Sequence, residues 1–206
     1  MGTKNNYNDN VFINCPFDEE YKSLQNAMVF AIFDCGFVPR CALEENDGAD
    51  IRLDKIKRLI QSSRYGIHDI SRTELDASNG LPRFNMPLEL GLFLGARQYG
   101  DDDQKKKSIL ILDTERFRYQ KFVSDIAGQD IRAHQGDERV LIRHIRDWLN
   151  GTSRRKTIPG GTAIAQRFGQ FLGDLPSMCD EAQLTPEELT FNDYCVFVSE
   201  WLKARG

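Results

Sequence analysis

An open, five-stranded parallel α/β sheet flanked by helices, followed by a helical C-terminal extension, is the fold this sequence predicts. Three observations carry the prediction. Strand-like and helix-like segments alternate about five times over residues 11–149, the signature of parallel strands joined by right-handed crossovers. The segment Ser108–Asp113, SILILD, is a continuous apolar run, as expected of a strand buried on both faces. A linker-like stretch, NGTSRRKTIPG at 150–160, then separates these units from two more helical segments. The 206 residues therefore divide into an α/β domain over 1–150 and a helical extension over 151–206.

Each element has a local reason. Residues 1–10 are polar and expected to fray. Val11–Asn14 is a short apolar run stopped by Cys15-Pro16, so a buried first strand. Tyr21–Cys35 carries Leu24, Ala27, Met28, Ala31 and Ile32 at helical spacing, and Gly36 closes it. Phe37–Ala42 is the second strand. Asp50–Ser62 places Ile56, Leu59 and Ile60 on one helix face and basic residues on the other. Tyr65–Ile70 is the third strand, and a long polar loop follows it. The next helix runs to about Gln98, and a charged turn over Asp101–Lys107 leads into the fourth strand. Arg116–Asp125 reads as helical, Asp130–His134 as a weak fifth strand and Glu138–Leu149 as an amphipathic helix. Gly161–Leu172 and Pro186–Lys203 complete the set, the latter opened by Thr185-Pro186-Glu187-Glu188.

Composition narrows the function classes. Hydrophobic residues make up 40% and charged residues 28%, a soluble globular balance, and the net charge of −4 argues against nucleic-acid binding as the main activity. No apolar stretch approaches a membrane span, and the N-terminus has no apolar signal region. Asn6 stands where a myristoylation motif wants Ser or Thr. The five cysteines show no CxxC spacing and the three histidines are scattered, so no metal site is suggested and a reducing cytoplasm is expected. There is no GxxxxGK[ST] loop, no GxGxxG after the first strand and no GxSxG elbow.

One residue stands out. Between Met86 and Ala96 the chain reads MPLELGLFLGA, with Glu89 its only charge. A carboxylate in such a run must be locally satisfied or serve chemistry, because burying it unpaired costs several kcal/mol or more. If Met86 is an N-cap, Glu89 sits at N3 and can bond orphan amides. Against that, Leu92, Phe93 and Ala96 share its face and should turn it inward. Spacing alone leaves both readings open. Ligands of open α/β sheets bind at C-terminal strand ends near the switch in strand order, and Asn14, Asp69 and Asp113 occupy such ends. Asp69 and Ser71 read either as a turn and cap or as binders of sugar hydroxyls beside Glu89. Arg83, Phe84 and Asn85 precede the helix: an Arg beside an aromatic can pair a phosphate and stack a base, or simply anchor a loop. Arg52 can pair with a carboxylate or phosphate, though solvation on a helix surface explains it too. Asn14, Pro16 and Phe17 form a strand-to-helix turn close to the switch point. Ser62 and Ser63 end a helix. His68 reads as structural or partly exposed.

The motifs FINCPFDEEY, KIKRLIQSSRYGIHDISR, RFNMPLELGLFLGA and KSILILD resemble the prokaryotic TIR-like proteins, within a wider group that includes nucleoside 2-deoxyribosyltransferases. The pattern also resembles the short TIR-like proteins of bacterial antiphage defence systems such as Thoeris. The resemblance covers roughly residues 11–149, and its most specific part is the strand, Asp-Ile-Ser, loop, Glu-Leu-Gly order. It implies a flavodoxin-like sheet and a catalytic Glu on the helix after the third strand, the position of Glu89. It further implies sugar binding by Asp69 and a match of Ser63 to a family serine near the catalytic Glu. The chain departs from animal TIR domains in carrying PLELG where they have a WCxxE-type segment.

The resemblance therefore implies NAD as substrate, with no separate cofactor, cleaved at the nicotinamide glycosidic bond to ADP-ribose or a cyclic derivative that a downstream effector protein can sense. Asp69 and Ser71 would position ribose hydroxyls, Arg83 would meet a phosphate, and Phe84 or Phe17 would stack on a base. Assembly into a homo-oligomer belongs to the same expectation. Two alternatives stay open: a nucleoside or nucleotide N-glycosidase or deoxyribosyltransferase, and a nucleotide-binding or assembly module without catalysis.

Overall fold

The computed structural model describes residues 6–45, 47–73, 80–81, 84–153, 155 and 157–205. Its five strands are β1 (Asn10–Asn14), β2 (Val38–Arg40), β3 (Tyr65–Asp69), β4 (Ser108–Asp113) and β5 (Ile131–Ala133). They form one sheet in the order β2-β1-β3-β4-β5, every pair parallel. This is the flavodoxin-like order, which reverses direction between β1 and β3.

The helices are α1 (Lys22–Asp34), α2 (Arg52–Gln61), α3 (Asn85–Tyr99), α4 (Glu138–Ser153), α5 (Gly161–Glu181) and α6 (Phe191–Lys203). Strand alternation assigns them to two faces. Val11, Ile13, Tyr65, Ile67, Leu110 and Leu112 point to a core shared with α1, α4, α5 and α6. Phe12 points the other way, to Ile56, Leu59, Ile60 and Phe93 of α2 and α3. Gly66 lies on that second face because a Cβ there would stand 2.6 Å from the Phe93 ring. The absence of a side chain lets α3 settle onto the sheet.

The extension packs into the α1 core without a break. Phe168 and Phe171 of α5 and Trp201 of α6 surround Phe30, with ring centroids 5.4 to 5.9 Å apart. Trp148 of α4 meets Tyr65 edge-on at 5.8 Å. Arg167 adds a forked pair to Asp34 at 2.7 Å.

Several boundaries differ from expectation. The segment expected to be helical over Arg116–Asp125 forms two short 3₁₀ turns, Arg118–Lys121 and Ser124–Ile126. Phe117 at φ 63° breaks a continuous helix there. α4 continues to Ser153, into the stretch read as linker, and α5 runs past Leu172 to Glu181 with Pro176 inside it. The last helix begins at Phe191 instead of Pro186. Thr185 binds the Glu188 carboxylate through both its N–H and hydroxyl, but this turn stops, and a full capping box of Thr190 and Asp193 starts α6. Starting there puts Tyr194, Val198 and Trp201 in one stripe against the core. The Gly36 stop after α1 is present, with φ 80°. No helix among the described residues is long and apolar enough to cross a membrane.

Candidate active site

The floor of the site is built where the strand order reverses. Asn14 and His68 are register partners on β1 and β3, and their side chains face α3 together. The Asn14 amide nitrogen lies 2.8 Å from the Met86 carbonyl and 3.0 Å from His68 Nδ1. A carbonyl only accepts, so the atom facing Met86 is the NH₂ group, and its second proton goes to His68 Nδ1. His68 is thereby the Nε2–H tautomer. It is fully buried, so of the two expectations, structural or partly exposed, the structural one holds. Burial, with the Lys107 charge nearby, pushes its pKa down to about 3, so the ring is neutral. Three segments distant in sequence are thus tied at one point, and the Asn14 carbonyl oxygen is left as its free polar atom among the described residues.

Glu89 projects over this floor. It lies in the second turn of α3, since Asn85 is the first helical residue and Phe84 the cap. The expected Met86 cap with Glu89 at N3 is therefore replaced by a start two residues earlier, and Glu89 receives no hydrogen bond from a described residue. Its side chain is on the buried face with Leu90 and Phe93, and the residue is 6% exposed. It lines a pocket of about 280 Å³ with Asn14, Cys15, Pro16, Arg52 and Asn85. Burial pushes its pKa up to about 7, against a downward pull from Arg52. Cys15 offers no competing nucleophile: burial, then the neighbouring Cys41, Asp69 and Glu89, hold its thiol well above the ordinary range.

Asp69 does not share this pocket. It follows His68 by one residue, so strand alternation sends it to the opposite face. There it is fully buried and engaged on both oxygens. Tyr21 donates its hydroxyl to Oδ2 at 2.6 Å, and the Ser71 N–H donates to Oδ1 at 2.9 Å. His134 Nε2 lies 3.0 Å from Oδ2, at ion-pair distance though off the N–H axis. The Gly136 N–H occupies His134 Nδ1, so the ring proton sits on the Nε2 side. Burial by itself would raise the Asp69 pKa, but His134, Ser71 and Tyr21 reverse the effect and hold it below the ordinary carboxylate range. Asp69 is a hub joining the C-terminal ends of β3 and β5 to the start of α1. Asp113 is similarly committed, to Arg118 at 2.6 Å, and Arg118 also reaches the Ile70 carbonyl.

The sequence-predicted residues therefore separate. Glu89, Asn14, Pro16, Phe17 and Asn85 line one pocket. Asp69 and Ser71 lie behind the sheet as a turn, and Phe84 is exposed and outside the lining. Ser63 is at the wrong end. It precedes β3, so six strand steps of roughly 3.3 Å set it about 20 Å from Asp69, where its carbonyl accepts from Lys107. Arg83 lies outside the described residues. Two cations line the pocket in its stead. Arg72 bridges Asp18 at 3.2 Å and Glu20 at 2.6 Å, clamping the loop after β1 to the segment after β3. Arg52 has no ion pair with any described residue and faces Glu89 electrostatically. Its place at the first turn of α2 was the available signal.

The arrangement presents one carboxylate, one carbonyl acceptor and one guanidinium without an ion pair among the described residues, all around a small cleft. Among the described residues no cluster of three His, Cys, Asp or Glu side chains could hold a metal ion. No protein-family model matches the chain, and no curated protein matches it either.

Proposed function

We propose that the protein cleaves the N-glycosidic bond between nicotinamide and ribose in NAD, with Glu89 as the residue that meets the anomeric carbon. The observation that carries this reading is Glu89 itself, buried, unpaired among the described residues and lining a pocket at the switch point of a parallel sheet. A group desolvated at this cost without serving the fold is characteristic of a site. The nicotinamide ring is a cationic leaving group. When the C1′–N bond breaks, its electron pair neutralises the ring and no proton donor is required. The positive charge moves to the ribosyl C1′–O4′ unit. The Glu89 carboxylate stabilises that cation or bonds to C1′, and water or an internal nucleophile then completes the transfer. In a pocket of low dielectric this attraction is strong. In this reading Asn14 Oδ1 accepts from a ribose hydroxyl and Arg52 meets a phosphate, since both residues line the pocket with Glu89.

The similarity of the Asp-Ile-Ser and Glu-Leu-Gly segments to prokaryotic TIR-like proteins supports the same reading. It extends it to signalling or NAD depletion in bacterial antiphage defence, in a reducing cytoplasm that suits five free thiols. A second reading, a nucleoside N-glycosidase or deoxyribosyltransferase, is favoured by one observation: with a pKa near 7, Glu89 can also carry a proton for a neutral leaving base.

Mass spectrometry of NAD and of free nucleosides incubated with wild-type and Glu89→Gln protein tests the proposal. Nicotinamide release by the wild type alone is the expected result. Base release from nucleosides with NAD intact moves the assignment to the second reading. Turnover of neither by folded wild type sinks both.

A further inference from the structure

The Glu89 pocket borders a larger space. Phe17, Asp18 and Arg52 line the pocket and also line a cavity of about 750 Å³. The near wall of that cavity comes from α1 and the loop after β2. The far wall is the C-terminal extension, through Leu172 and Pro176 of α5 and Phe191 and Tyr194 of α6. A molecule that reaches from one compartment to the other passes the border that Phe17, Asp18 and Arg52 share.

Arg52 is the cation common to both linings, and on the larger cavity Lys22 and Lys55 join it beside the carboxylates of Asp18, Glu19 and Glu45. Asp18 is paired with Arg72 and Glu45 with Arg58, whereas Arg52 has no ion-pair partner among the described residues. Arg52 also opens the ten-residue helix α2, whose first amides and dipole favour an anion. The far wall is different in kind. It is largely apolar and partly aromatic, from Leu172, Leu175, Pro176, Phe191 and Tyr194, with Thr190 and Asn192 as its polar members. An apolar, partly aromatic wall suits a flat heterocycle. A cavity of this size falls within the range of roughly 300–1,000 Å³ typical of small-molecule sites.

We infer that the larger cavity takes the adenosine half of a dinucleotide, with the pyrophosphate crossing at Arg52, and that the C-terminal extension is therefore a wall of the substrate site. The placement of the nicotinamide end at Glu89 rests on the glycosidic cleavage proposed above; the binding of an adenine nucleotide against the extension does not. Leu172 is suited to test it, being 39% exposed and thus able to accept a larger side chain without disturbing the core.

Kinetics with NAD and with nicotinamide mononucleotide, in wild type and Leu172→Trp, are read beside calorimetric binding of ADP to Glu89→Gln protein with and without Leu172→Trp. Circular-dichroism melts confirm folding of each. The expected result is a kcat/KM for NAD about tenfold or more above that for the mononucleotide, and a rise of about tenfold in KM for NAD in Leu172→Trp that the mononucleotide does not share. ADP should bind the Glu89→Gln protein, and bind about tenfold more weakly once Leu172→Trp is added to it. Equal efficiency on both nucleotides, or ADP binding indifferent to the second substitution, overturns the inference while leaving the cleavage reading in place. ADP binding weakened by Leu172→Trp in a protein that cleaves neither nucleotide upholds the inference and removes the cleavage reading.

Discussion

The side chains of Asn14 on β1 and His68 on β3 meet at 3.0 Å, and the same Asn14 nitrogen reaches the Met86 carbonyl at 2.8 Å. Both partners of that nitrogen are acceptors. An Asn14→Asp exchange keeps the shape but sets a carboxylate oxygen against a carbonyl oxygen. It should cost about 1–3 kcal/mol of stability, the range for a buried polar group left without its partner. The urea midpoint should fall accordingly. An unchanged midpoint would mean that these contacts of the Asn14 amide contribute nothing to stability.

The pH profile separates the two chemistries proposed for Glu89. A carboxylate that stabilises a ribosyl cation works ionised, so kcat/KM for NAD should rise with pH and level off above the pKa of about 7. A general acid on a neutral base works protonated, and nucleoside cleavage should fall through the same region. A profile flat from about pH 5 to 9 would remove Glu89 titration from either mechanism.

Glu89 also sets a pH dependence of stability. Its folded-state pKa of about 7 lies above the ordinary 4.5. Its contribution is therefore fully present below about 4.5 and is lost as pH rises through about 7. Glutamine at this position is neutral throughout. Glu89→Gln should match the wild type near pH 4 and exceed it above pH 7, by up to about 3 kcal/mol. Denaturant titrations at the two pH values check this. A gap that does not widen with pH would show Glu89 to be comfortably solvated.

Asp69→Asn distinguishes a hub from a sugar ligand. With Tyr21, Ser71 and His134 all directed at its carboxylate, the exchange should cost about 3 kcal/mol in stability. KM for NAD should move by no more than about threefold, because the group lies behind the sheet. A large rise in KM with stability intact would return Asp69 to the ribose.

The strands and helices were legible because each buries a face with its own period, and Glu89 was legible as the one charge on an apolar face. What escaped was parity. His68 and Asp69 are adjacent, and only the pairing of Asn14 with His68 decides which of them faces Glu89. A single residue of register exchanges the two, and nothing local in HDISR states it. Tyr21 and His134 escaped for a related reason: their partner is brought to them by the sheet, from 48 and 65 positions away in the chain. Ser63 was different. It precedes its strand, so the rule that ligands gather at C-terminal strand ends already argued against it. The start of α6 offered two capping sequences five residues apart, and the choice between them was made by which one brings Trp201 onto Phe30.

That seat of Trp201 has a spectroscopic consequence. The chain holds two tryptophans, and they fall on either side of the 150/151 division. Trp148 is buried against Tyr65 of the central sheet, and Trp201 against the Phe30–Phe171 cluster beneath the last helices. Replacing either one by phenylalanine leaves a protein whose tryptophan emission, excited selectively over its six tyrosines, comes from one half alone. Two such proteins turn the native fluorophores into independent reporters of whether the two halves melt at one temperature or in sequence.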